Sequence, residues 1–237
     1  MTDETTQRKV AIVDTLRNKS VLKQQVFDNT ATAFMMVKEI LKNLSKEVNG
    51  NLTGVDPRVR MEYTDRSSFD AQLMVAADML LFSMHSNIFQ FDREHPAWKT
   101  AYIQKSKFNA YSGIINIYNF LADSFRFSRL DDLGYLIARI FINHENQYFV
   151  EGKRQMGMLF TNFGNEAFST ESLQKIVYTA INYSLDFDLL VPPYDAVKIA
   201  SVGQAESKIQ HSRLITGKRL GFQFNSDDVL DANSSTK

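Results

Sequence analysis

The chain has 237 residues, with 27 Lys plus Arg balanced by 27 Asp plus Glu, 44% hydrophobic and 12% aromatic residues, and no cysteine. That length suits a single domain, and 18 Phe with 9 Tyr supply apolar surface for a core, which excludes a disordered chain. Lack of cysteine excludes a disulfide framework, a thiolate nucleophile and cysteine-held zinc, while zero net charge argues against whole-protein attraction to nucleic acid or anionic membrane.

Residues 1–18 are polar, mixed in charge and without apolar periodicity, so they are expected to form a mobile N-terminal segment and not a secretory signal. A single domain is expected over 19–224 and a disordered tail over 225–237. Apolar stretches are broken by Asp78 and Arg139 before reaching the roughly 18 to 20 residues of a membrane helix, so a cytoplasmic protein is expected.

The spacing predicts a helix over 21–49, with Ser20 as N-cap and Gly50 just past its end. Phe27, Phe34, Leu41 and Val48 recur every seven residues, Val37 and Leu44 accompany them, and Val26, Ala33 and Ile40 widen the face. Thr30 is the one polar member of its series. A stripe this broad fits a helix lying on its own sheet. The alternative is an interface through Phe27, Phe34, Leu41 and Val48, which would make the protein a homodimer.

After 50–57 the period changes to two. A short strand is expected over 58–64, then a hairpin of 69–76 and 79–91 turning at Ala77-Asp78. Phe69, Leu73, Ala76, Leu80 and Met84 also share a helical face, so a helix competes over 69–84; the β-branched and aromatic content of 86–91 favours strand there. A loop containing His95 and Trp98 leads to a basic, aromatic stretch over 99–111. Next, 114–127 reads as a strand with Ile115, Ile117, Leu121, Phe125 and Phe127 on one side. Strands at 135–143 and 147–151 form a hairpin about His144-Glu145-Asn146, and 153–160 reads as one more strand.

Thr170 is the expected cap of a helix whose face carries Leu173, Ile176, Val177, Ala180, Ile181 and Leu185, stopped by Pro192-Pro193; a short helix is expected within 195–210. The fold class is therefore α+β: an antiparallel meander of five to seven strands packed against an N-terminal and a C-terminal helix in two layers. Sensor modules of the GAF and PAS type share this general arrangement, a likeness of architecture alone.

Motifs for chemistry are few. His85, His95, His144 and His211 lack the spacing of a helical metal motif, and there is no G-x-S-x-G elbow or phosphate-binding glycine loop. No cofactor or metal is implied. His85, Asn87 and Phe89 would project from one strand face, mixing polar and aromatic groups as a pocket lining does. Arg66 and Arg139 are candidate anion binders, although Arg139 would equally suit the solvent face of the sheet. His144 beside Glu145 has acid/base chemistry at a hairpin tip, where neighbours are usually solvated.

These features point to a non-catalytic module that binds a small molecule or a protein partner. The alternative is an enzyme using His85 as acid/base and Arg139 or Arg66 to hold an anion. A third reading is a single-stranded nucleic-acid binder, with Lys99, Lys105, Lys107, Lys153, Arg154, Lys218 and Arg219 around Tyr102, Phe108 and Tyr111; the neutral charge balance argues against it.

Overall fold

In the computed structural model, which describes residues 2–130, 132–152, 163–186 and 194–199 together with 156, 201–203 and 206, an unbroken helical run starts at Thr2. Helix α1 (Thr2–Thr15) passes through a π-helical turn (Leu16–Ser20) into α2 (Val21–Asn51). The N-terminal segment 1–18, which shows no apolar periodicity, is thus helical from Thr2 onward. Ser20 does not cap α2: its backbone is itself helical (φ −74°, ψ −39°) and its side chain makes no capping bond. Gly50 lies inside the helix, which closes at Asn51.

Among the described residues seven strands follow: β1 (Met61–Asp65), β2 (Asp70–Val75), β3 (Asp78–Met84), β4 (Phe89–Gln90), β5 (Tyr111–Leu121), β6 (Tyr135–Ile142) and β7 (Tyr148–Gly152). They form an antiparallel meander in the order β1-β2-β3-β5-β6-β7, with β4 pairing the first residues of β5. The 69–84 region is a hairpin and not a helix. Its turn falls at Ala76-Ala77, one residue earlier than expected, because Val75 pairs with Asp78; Ala76 takes φ 52° to achieve it. The strand expected to run to residue 91 leaves the sheet after Met84 and resumes only as β4.

The strand expected over 114–127 also stops early. After Leu121 the chain turns into α4 (Ala122–Arg126), which brings Phe125 edge-on to Phe120 at 5.2 Å. A bulge opposite Ile117 and Tyr118 turns both Ile137 and Ala138 toward the core, where they are 0% and 1% exposed. The strand expected over 153–160 lies outside the described residues except for Met156, as does the 225–237 tail. Of the helix expected within 195–210, the turn Tyr194–Val197 is described.

One sheet face carries the main core. Leu73, Leu80, Phe82, Ile115, Ile117, Ile140 and Ile142 are buried against Phe34, Val37 and Leu41 of α2 and against Leu173, Ile176 and Val177 of α5 (Thr170–Leu185). The heptad residues considered as a homodimer interface are therefore directed inward. Phe34 and Leu41 are 1% and 0% exposed, and Phe27 and Val48 pack against the same core. The cap of α5 is Ser169, not Thr170: its Oγ accepts the Ser172 N–H at 3.1 Å, and Ser172 Oγ accepts the Ser169 N–H at 2.8 Å. Among the described residues no helix is long and apolar enough to cross a membrane.

Candidate functional site

Strand alternation places Asp70, Ser83, Asn116, Arg139 and Glu151 side by side across five strands on the face opposite the main core. The neighbouring row, Ile114, Phe141 and Phe149, is apolar. Residues 91–110 fold back over this end of the sheet as three short turns, each opened by a side-chain cap. His95 caps Pro96–Lys99, Thr100 caps α3 (Ala101–Lys105), and Ser106 caps Lys107–Ala110. Under them Phe91, Ile103, Phe141, Phe149 and Phe163 form a second apolar cluster, with Phe141 and Phe149 stacked at 4.7 Å.

The polar and aromatic rows meet at Glu151. Its Oε1 lies 2.5 Å from His95 Nε2, and its Oε2 accepts from Arg139 Nη2 at 2.5 Å. Because His95 Nδ1 accepts the Ala97 backbone N–H at 3.1 Å, the ring proton belongs on Nε2, pointing at the carboxylate. Phe91 stacks on the imidazole at 4.7 Å and fixes its plane. Beside this trio opens a cleft of about 390 Å³ lined by His95, Thr100, Phe149, Glu151 and Phe163 among others.

A second hub fixes the β6–β7 hairpin. Asn143, 0% exposed, accepts the N–H groups of Glu145 and Gln147 on Oδ1 and donates from Nδ2 to Tyr102 Oη at 2.7 Å. Tyr102 Oη in turn donates to Glu145 Oε2 at 2.5 Å. Burial, reinforced by that carboxylate, pushes the Tyr102 phenol above its ordinary range. Asn29 of α2 ties the hairpin down by donating to the carbonyls of Asn143 and His144. Burial pushes the His144 imidazole downward against the opposing pull of the Glu145 carboxylate, 3.9 Å away, and its Nδ1 is enclosed without a partner among the described residues.

The residues singled out in the sequence disperse. His85, Asn87 and Phe89 do come together, but as an exposed turn: His85 Nδ1 accepts the Asn87 N–H at 3.0 Å and Phe89 meets the ring edge-on at 4.6 Å. They do not share a strand face. Arg66 sits at the β1–β2 turn, donating to Gln72 Oε1 at 2.7 Å. Arg139 alone of the five belongs to the cleft region, and its side chain stays 44% exposed, as the solvent-face reading expected. Of the three aromatics considered for base stacking, Phe108 is 45% exposed, whereas Tyr111 is 8% exposed and Tyr102 is held by Asn143 and Glu145. Lys153, Arg154, Lys218, Arg219 and His211 lie outside the described residues. Among the described residues no three His, Asp or Glu side chains converge to hold a metal ion.

The chain matches no family model, no curated protein and no solved structure. What the cleft can do follows from its own atoms. Both nitrogens of His95 are engaged, so in this arrangement it has no free position from which to exchange a proton with a bound molecule. The Thr100 hydroxyl has its proton committed to Ala97 O and one lone pair accepting from Ile103 N, so it offers no free donor. Glu151 is different: each carboxylate oxygen keeps acceptor capacity beyond the single bond it makes here. Its charge is balanced by Arg139, and Phe149 and Phe163 supply apolar walls. Rigid groups with residual acceptor capacity suit binding.

Proposed function

We propose that this chain is a non-catalytic binding module, whose ligand is a small molecule with a planar ring and a hydrogen-bond donor, held in the cleft between the 95–100 segment and β7. The observation that carries this reading is Glu151, gripped on both oxygens by His95 and Arg139 while facing a cleft walled by phenylalanines. A volume of about 390 Å³ lies within the range of small-molecule sites, which are mostly apolar with a few fixed polar groups. A ligand N–H or O–H would meet an acceptor that needs no reorganisation, and its ring would rest on Phe149 or Phe163. The enzyme alternative has less support, because His85 lies exposed in a turn and His95 has both nitrogens occupied.

The test is a fragment screen by NMR, using ring compounds with and without N–H donors. Binding should shift the amides of Ala97, Thr100, Phe149 and Glu151, favour the donor-bearing compounds, and weaken in Glu151→Gln. Shifts confined to other surfaces, or none, would overturn the proposal.

A further inference from the structure

Among the described residues nothing covers helix α1. Every described side chain from Glu4 to Lys19 is exposed, including Val10 at 55%, Ile12 at 58%, Val13 at 43% and Leu16 at 56%. Its composition does not favour an isolated helix either, since Thr5, Thr6, Val10, Ile12, Val13 and Thr15 are β-branched. α1 extends the packed helix α2 with no packing of its own among the described residues, and most helical stability in proteins comes from packing an apolar face, so α1 gains from a surface to lie against.

The phase of the helix shows which side is unoccupied. Lys19 and Lys23 both reach over the Tyr111 ring, at 5.6 and 5.7 Å, so that side of the π turn faces the domain. A π turn takes more residues per revolution than an α turn, which retards the phase and brings Val21 into line with Val13 and Leu16. Val21 (60% exposed) and Met35 (71% exposed) then continue the apolar stripe along the solvent side of α2. Arg17 and Asp28 are exposed on the same side, and among the described residues neither has an ion-pair partner.

We infer that this stripe is covered by a second copy of the chain, the two helices running antiparallel about a two-fold axis between Leu22 and Lys23. The charges choose the orientation. A parallel, in-register pair would set Arg17 on Arg17 and Asp28 on Asp28, whereas the antiparallel pair sets Arg17 on Asp28 twice, Val13 on Thr32 and Val10 on Met35. At 1.5 Å per residue the contact spans roughly 39 Å, and each α1 rests on the partner's α2. This inference is independent of the ligand cleft, which lies on the other side of the sheet from α2.

Sedimentation velocity on the full chain over a concentration series tests it. A monomer–dimer equilibrium is expected, shifted strongly toward monomer by Arg17→Glu and restored when Asp28→Arg is added to the same chain. Because the protein has no cysteine, orientation can be read by cross-linking. Chains carrying Val13→Cys should form disulfide-linked dimers when mixed with chains carrying Thr32→Cys, and neither should do so alone, the like positions being roughly 28 Å apart. A monomer at every concentration, a dimer indifferent to Arg17→Glu, or self-linking of Val13→Cys would each overturn the inference.

Discussion

His95 holds Glu151 at 2.5 Å through Nε2 while its other nitrogen caps the turn that begins at Pro96, so one ring joins the 91–110 segment to β7. His95→Ala removes the cap and one of the two donors to the carboxylate. The expected cost is about 1 to 2 kcal/mol, read by urea denaturation. Glu151→Ala should cost less, because Arg139 is exposed enough to find water. In a double-mutant cycle the two changes should be non-additive by at least about 0.5 kcal/mol. Strict additivity would mean that the contact does not couple the two elements.

Tyr102 bridges a buried amide and a carboxylate, so Tyr102→Phe leaves Asn143 Nδ2 without its acceptor. The expected loss is about 1 to 3 kcal/mol. The same substitution changes the alkaline limb of the stability curve. The folded state keeps the Tyr102 proton where the unfolded chain releases it, so this contribution is full below the ordinary value of 10.0 and is lost as pH rises above it. Wild type should therefore lose stability faster than Tyr102→Phe above pH 10, measured by chemical denaturation at stepped pH.

Much of this architecture is legible in local pattern. The hairpin about His144-Glu145-Asn146 carries its register with it, and that register sets Arg139 opposite Glu151. The seven-residue repeat of Phe27, Phe34, Leu41 and Val48 marks the buried face of α2 because a core stripe has the same period as an association seam. His95 is another matter. It lies 56 positions from Glu151, and their meeting depends on three capped turns folding over the sheet, which no periodicity announces. The early end of β5 is hidden too: Phe125 and Phe127 keep an alternating spacing past Leu121, yet the chain turns into α4 there and Phe125 packs edge-on against Phe120. α1 escapes pattern reading because its β-branched residues speak against helix and its apolar positions only align across a π turn.

The half-buried His144 sets an acid limb. Burial holds the imidazole below its ordinary value of 6.5, only partly offset by Glu145, so the unfolded chain binds the proton more readily than the folded one. This residue's contribution is complete above pH 6.5 and declines as pH falls through and below that value. His144→Gln should flatten the stability profile on that side. The difference between wild type and variant, followed by thermal denaturation from pH 8 downward, isolates this group from the carboxylates that titrate lower.

At Gly113, β5 passes close against Thr30 of α2. A Cβ built there would lie 2.1 Å from Thr30 Oγ1 and 2.8 Å from Thr30 Cβ, inside any tolerable contact. Thr30 cannot swing clear: it is 0% exposed and its hydroxyl donates to the Val26 carbonyl at 2.7 Å. This explains a polar residue in an otherwise apolar series, since a short side chain that satisfies itself on its own helix lets the strand approach. Gly113→Ala should force α2 and β5 apart and cost about 1 to 3 kcal/mol. Thr30→Val, similar in shape but without the hydroxyl, should be better tolerated because it frees no buried donor and leaves the Val26 carbonyl its helical partner. If Gly113→Ala melted at the wild-type temperature, the close approach of helix and strand would not exist in solution.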